Sequence, residues 1–154
     1  MSVIAIMLSM LVIGSCESAT EPPVDPFPEE FTLVRYNGSV LPYSGIRQSG
    51  PGSPEDPTHC YEVVSGVLSM RNGDYSLRVD GREDQYCRTG WRDKVVHSGT
   101  AGFNIVGDSI HFQMSQGLGA FPSGHISGDT VVMVLRPVQA SAGYGVRTLA
   151  FVPR

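Results

Sequence analysis

Two kinds of apolar patterning divide the chain. Across residues 3–13 almost every position is apolar, with Ser9 the one interruption. Beyond residue 30 the apolar side chains come in short runs. Tyr75-Ser76-Leu77-Arg78-Val79-Asp80 and Ile110-His111-Phe112-Gln113-Met114-Ser115 alternate with period two, which predicts half-buried antiparallel strands. Residues 131–135 form a continuous apolar strand, and residues 31–36 and 146–152 supply a first and a last one. No window of twelve residues shows a helical apolar face.

The punctuation between these runs is equally regular. Asn72-Gly73 separates Met70 from Tyr75, and Asn37-Gly38 follows the first strand; both dipeptides suit turns whose central residues need positive φ. Gly107-Asp108 and Gly128-Asp129 split two further hairpins. Around them the chain repeats weakly: residues 102–110 and 124–131 each read glycine, short strand, Gly-Asp, small polar residue, β-branched residue. About eight strands over residues 31–154 would leave two unpaired edges in an open sheet, and closure removes both. The expected fold is all-β: a single antiparallel up-and-down β-barrel of about eight strands.

Composition adds a location. The apolar run at residues 3–13 is too short to span a bilayer, which takes roughly 20 residues, and fits the core of a signal peptide. It ends in Ile13-Gly14-Ser15-Cys16, which resembles the bacterial lipobox. In that motif the cysteine thiol takes a diacylglycerol, small residues admit the peptidase, and cleavage frees the cysteine amine for a further acyl chain. An ordinary secretory signal with an incidental cysteine is the plainer alternative. Two or more acyl chains on one residue are enough for stable membrane anchoring. Residues 17–30 (ESATEPPVDPFPEE) hold five acidic side chains, four prolines and no base, and read as a disordered, extended tether of about 40 Å. The expected division is a lipoprotein signal peptide at 1–15, a lipidated Cys16 with its tether at 16–30, and the barrel at 31–154.

Charge then narrows the partners. The whole chain carries −4, but residues 31–154 hold 10 acidic and 11 basic side chains, so the negative balance sits in the tether. A nucleic-acid partner is not expected from a nearly neutral domain. Ten of the eleven bases are arginine. Arg82, Arg88, Arg92 and Lys94 cluster in sequence but interleave with Glu83, Asp84 and Asp93, which favours local pairing on a solvated surface.

The three cysteines sort in the same frame. With Cys16 lipidated, Cys60 and Cys87 remain as an even pair in a compartment where disulfides persist. A two-residue turn at Asn72-Gly73 sets Cys60 opposite Gln85, so Cys87 lies diagonally and slightly too far away. A bulge or a relaxed strand end would close that gap. The bond is expected to be structural, because no CxxC spacing points to redox work.

By this point the motifs resemble a known family. Residues 31–38 (FTLVRYNG) with Leu41-Pro42 resemble the opening of small bacterial lipocalin-like lipoproteins, with Phe31 where tryptophan is usual. The hairpin at 66–77, the stretches at 98–112 and 124–131, and Leu149-Ala150-Phe151 fit as well. The resemblance implies a calycin-type barrel in the bacterial envelope, at the outer membrane or facing the periplasm. Families of this kind are largely uncharacterised in function.

Candidate chemistry is sparse. His59, His97, His111 and His125 show no metal-ligand spacing, and no GxSxG, SxxK or cofactor motif is present. An enzyme is not expected, and neither is a cofactor or metal. Tyr75, Leu77, Val79, Ile110, Phe112 and Met114 would face one interior and could line a site for a small apolar ligand or simply fill a core. Trp91 would plug a barrel end or anchor the ligand. Three longer loops, at 48–58, 116–120 and 139–144, stand out, and those at 48–58 and 116–120 offer an alternative surface for an envelope protein. Cys16→Ser is expected to abolish acyl labelling and membrane retention; a fully labelled variant would contradict the lipobox.

Overall fold

The computed structural model describes residues 27–47, 59–84, 87–88, 90–138 and 145–154. The signal segment, Cys16, most of the tether and the loops at 48–58 and 139–144 lie outside the described residues. Among those described there is no helix. Ten strands run in order: β1 (Glu30–Tyr36), β2 (Ser39–Val40), β3 (Tyr43–Arg47), β4 (His59–Arg71), β5 (Asp74–Asp84), β6 (Arg92–Val106), β7 (Ser109–Phe112), β8 (Ala120–Ser127), β9 (Thr130–Pro137) and β10 (Arg147–Pro153).

Every pairing is antiparallel, and neighbours from β4 to β10 are sequential. The ring closes through β1, which pairs with β10 along one edge and with β4 along the other, from Glu30↔Ser69 to Thr32↔Val67. Eight strands thus form a closed up-and-down barrel, the architecture the alternation and the resemblance both imply. Past Thr32 the seam between β1 and β4 is filled by two short strands. β2 folds back on β1, and β3 pairs with the first half of β4. The cis peptide Leu41-Pro42 joins them.

The turns form where the glycines predict. Asn37-Gly38 and Asn72-Gly73 have positive φ at both central residues, the type I′ pattern that matches strand twist. Gly107 and Gly128 carry positive φ alone, with their aspartates on the ordinary side.

Inward side chains fill the middle of the barrel. Phe31, Leu33, Leu68, Tyr75, Leu77, Val79, Ile110, Val131, Met133, Leu149 and Phe151 are almost wholly buried. Across from Leu77 and Tyr75, β6 contributes only Gly99 and Ala101. A Cβ at Gly99 would meet Ser115 and Leu118, so the 115–118 connection takes that space, while the Tyr75 ring, opposite Ala101, meets Phe112 edge-on at 4.9 Å. The Tyr75 hydroxyl donates to the Gln113 carbonyl at 3.0 Å, so the one polar atom of that ring is satisfied inside the core.

Three register shifts break the alternation. One extra residue bulges at Val34 in β1, one at Val64 in β4 and one at Val96 in β6. The second shift corrects the disulfide geometry. Cys60 faces Asp84 instead of Gln85. Cys87 lies beyond the strand in a left-handed conformation, φ 51°, with its N–H reaching back to the Asp84 carbonyl. The Cys60–Cys87 bond forms with the two Cα atoms 5.0 Å apart.

One residue differs from the surface expected around this bond. Glu83 does pair with Lys94, and Arg82 with Glu62, at the surface. Asp84, however, is only 3% exposed. Its carboxylate accepts the Gly90 N–H at 3.2 Å, so it braces the turn after β5 and is not a solvated charge.

Gly81 sits opposite Val63 at the β4 bulge, where backbones crowd. A Cβ there would lie 2.2 Å from the Glu62 carbonyl oxygen and 2.8 Å from a Val96 methyl. Gly81→Ala is therefore expected to destabilise the barrel by about 2–3 kcal/mol in urea unfolding. Gly90→Ala, where the nearest atom is 3.9 Å away, should change stability by less than about 0.5 kcal/mol. Equal effects would contradict the packing described.

Candidate functional site

A cavity of about 660 Å³ opens at the end of the barrel where β1 finishes and β10 begins. Its apolar wall comes from Val96 on β6, Leu135 on β9 and Met114, Leu118 and Val138 on the connections beside them. The loop at 116–120 is part of this wall, with Leu118 folded inward. Ser115 is buried beneath it, and its hydroxyl accepts the Thr100 N–H at 3.1 Å.

The predicted ligand-binding residues separate into three groups. Tyr75, Leu77, Val79, Ile110 and Phe112 face one interior, but they are packed against one another and form core. Met114 reaches the cavity by a different route from the one alternation implies. The β7 strand stops at Phe112, so Met114 turns out to the cavity rim, 51% exposed, while Ser115 takes the inward place. Trp91 lies away from the cavity. It is 39% exposed, with the Arg82 guanidinium 5.0 Å over its ring, a surface cation–π pair in place of a barrel plug.

Three polar residues that the apolar pattern does not pick out converge at this end. Arg147 pairs with Leu135 across β10 and β9, and paired residues share a face, so its side chain enters the barrel. His97 pairs with Val79 in the same way. Tyr36 pairs with Leu149. The bulge at Val34 turns Tyr36 inward; uninterrupted alternation from Phe31 and Leu33 would send it out. The bulge at Val96 separates Val95, which faces solvent, from His97 by one extra residue.

These groups lie side by side. The Arg147 guanidinium lies beside the Tyr36 phenol, close enough for its charge to act on it. The Tyr36 hydroxyl lies 2.9 Å from His97 Nε2, and the two rings stack with centroids 6.0 Å apart. Tyr43 packs on Tyr36 at 5.2 Å and Tyr61 on Tyr43 at 6.1 Å, which shields the Tyr36–His97 pair on its far side. Burial pushes the Tyr36 phenol up to about 12, a shift that the nearby Arg147 charge only partly offsets. Burial, reinforced by Arg147, pushes His97 down to about 4. At neutral pH the phenol keeps its proton and the imidazole is uncharged. The phenol and Nε2 share one hydrogen bond, whose direction follows the imidazole tautomer.

His97 and Arg147 both line the cavity. The arrangement sets a guanidinium and a neutral imidazole at one side of a mainly apolar wall. His111 and His125 are exposed on the outer face, as alternation implies. Among the described residues no group of three His, Cys, Asp or Glu side chains converges on a point that could hold a metal ion.

No protein-family model, curated protein or solved structure matches this chain.

The depressed His97 pKa carries a sign for stability. An unfolded chain takes up the imidazole proton near pH 6.5, and the folded one only near 4. The stabilisation is complete above about 6.5, is lost as pH falls towards 4, and levels off below that. The loss attributable to His97 should be about 2–3 kcal/mol across that window. His97→Gln is expected to unfold in urea with a correspondingly flatter pH profile; an unchanged profile would contradict the burial of an uncharged imidazole.

Proposed function

We propose that this chain is an envelope lipoprotein, acyl-anchored through Cys16, whose barrel is a non-catalytic carrier or sensor for a small, mainly apolar molecule. The observation that supports this most is the end cavity. At about 660 Å³ it falls within the roughly 300–1,000 Å³ of small-molecule sites, and its walls are mostly apolar with few polar groups. The filled middle of the barrel moves the binding place from the lumen to this end.

The direction of the tether fits the same reading. Residues 27–30 enter at the far end from the cavity, beside the Asn72-Gly73 turn, where Glu29 pairs with Arg71. An anchor on that side leaves the mouth facing away from the membrane that carries it. A non-catalytic role is favoured because Tyr36 and His97 are both held well clear of titration near pH 7. The lipocalin-like resemblance adds the expectation of ligand carriage.

A second reading is docking of an envelope protein over the mouth. Met114, Val138 and Val146 are exposed apolar side chains at that rim and favour it.

The full chain purified from a bacterial envelope should yield one apolar small molecule per protein in mass spectra of its organic extract. Leu118→Trp, which fills the cavity, should lower that occupancy more than tenfold with the barrel still folded. A wild-type protein that yields nothing would contradict carriage and favour the docking reading.

A further inference from the structure

Charge is unevenly divided between the two ends of the barrel. Strands β4, β6, β8 and β10 begin at the cavity mouth, and β1, β5, β7 and β9 finish there. Sorted by the strand ends they belong to, the charges of the mouth half are eight bases and six acids, and those of the tether half are two bases and eight acids. Some mouth charges are neutralised locally, Arg82 by Glu62 and Lys94 by Glu83. Arg35, Arg92 and Arg136 are exposed and make no ion pair among the described residues. Arg35 and Arg136 donate hydrogen bonds to neutral groups, the Gly38 carbonyl and the Ser123 hydroxyl.

Exposed apolar side chains gather at the same end. Val40, Trp91, Met114, Phe121, Val138 and Val146 all stand there, each at a strand end or in a connection. Phe121 and Arg136 are register partners on β8 and β9 and both are exposed, so a ring and a guanidinium share the outer face at the rim. The tether end also exposes Phe27, Ile105 and Val106, but its surplus of acid sets it apart.

We propose that the mouth docks end-on against an anionic lipid bilayer, with Arg35, Arg92 and Arg136 at the headgroups and the apolar rim in the interface. Lipid suits this rim better than a protein does. Its apolar side chains are spread around an opening, and fluid lipids conform to them, whereas a protein interface needs a packed apolar centre. Arginine beside Trp and Phe matches the two layers of a bilayer surface, charge for the headgroups and rings for the boundary below them. The chain towards Cys16 leaves from the opposite end, beside Arg71, so an anchored molecule bridges two bilayers. The docked cavity then opens onto lipid, where an apolar molecule passes without crossing water.

The test uses the full chain reconstituted into phosphatidylcholine vesicles, with incorporation checked by flotation. These are mixed with separate dye-labelled vesicles, either phosphatidylcholine alone or with about 30% phosphatidylglycerol as the anionic lipid. Capture of the anionic vesicles is expected to exceed that of the neutral ones about tenfold at low salt, and to fall as NaCl is added. Arg136→Gln and Phe121→Ser should each lower capture about fivefold, with Arg92→Gln as an independent variant on another strand. Val106→Ser, exposed at the tether end, should leave it unchanged. An unchanged urea midpoint shows that each variant folds. Equal capture of both vesicle types, or capture indifferent to the rim substitutions, would overturn the docking and leave the rim to an envelope protein. A chain that does not float with the first vesicles would contradict the anchor alone, and its direct flotation with anionic vesicles then tests the rim.

Discussion

One lumen has to take every inward side chain of eight strands, and the rest of the structure follows from that limit. Closure through the short β1–β4 ladder removes the sheet edges, but it also fixes how much volume the inner face can fill. Aromatic and branched residues occupy the middle, and β6 answers them with Gly99 and Ala101. Nothing comparable fills the end where β1 stops and β10 starts. There the inner positions are Tyr36, His97 and Arg147, whose polar heads need partners and whose geometry leaves a chamber beside them.

Bulges make that end different from the rest. Each inserts one residue and flips the parity of everything beyond it. The bulge in β1 turns Tyr36 in, the one in β6 sets Val95 and His97 on opposite sides, and the one in β4 brings Cys60 within reach of Cys87. Once inside, Tyr36 and His97 hydrogen-bond to each other, with Arg147 beside the phenol. The phenol keeps its proton, the imidazole stays neutral, and the guanidinium keeps a charge inside a mainly apolar wall. The β1 bulge thus brings Tyr36 to the inner face beside His97 and Arg147, which the regular registers of β6 and β10 already place there.

Much of the fold was legible in the residues. Asn37-Gly38, Asn72-Gly73 and the two Gly-Asp turns mark hairpins because few other residues accept positive φ. Alternation in residues 75–80 identifies core correctly, since β5 is regular there. The site was legible only in part: Arg147 follows Leu149 and Phe151 inward and His97 follows Gly99 and Ala101, but strict alternation from Phe31 and Leu33 assigns Tyr36 no inward place. A signal does exist. All three bulges fall at adjacent apolar pairs, Leu33-Val34, Val63-Val64 and Val95-Val96, where two neighbours both seek cover and only one face can give it. Met114 reaches the cavity outside the alternation: the pattern continues in residues 113–115, but the ladder stops at Phe112. Trp91 is large enough to plug a barrel, yet it precedes β6 and meets Arg82 on the surface.

The central claim is that the middle is packed and the end is open to a ligand. Three methionines report on it within one protein: Met70 and Met133 are buried in the core, and Met114 stands at the cavity rim. Their ¹³C-labelled methyl resonances, followed by NMR while the full chain is titrated with a neutral apolar probe such as dodecan-1-ol, separate the two regions. The account predicts that the Met114 methyl shifts with saturation while Met70 and Met133 hold their positions. Saturable movement of Met70 and Met133 with Met114 unmoved would place the ligand in the lumen and contradict it.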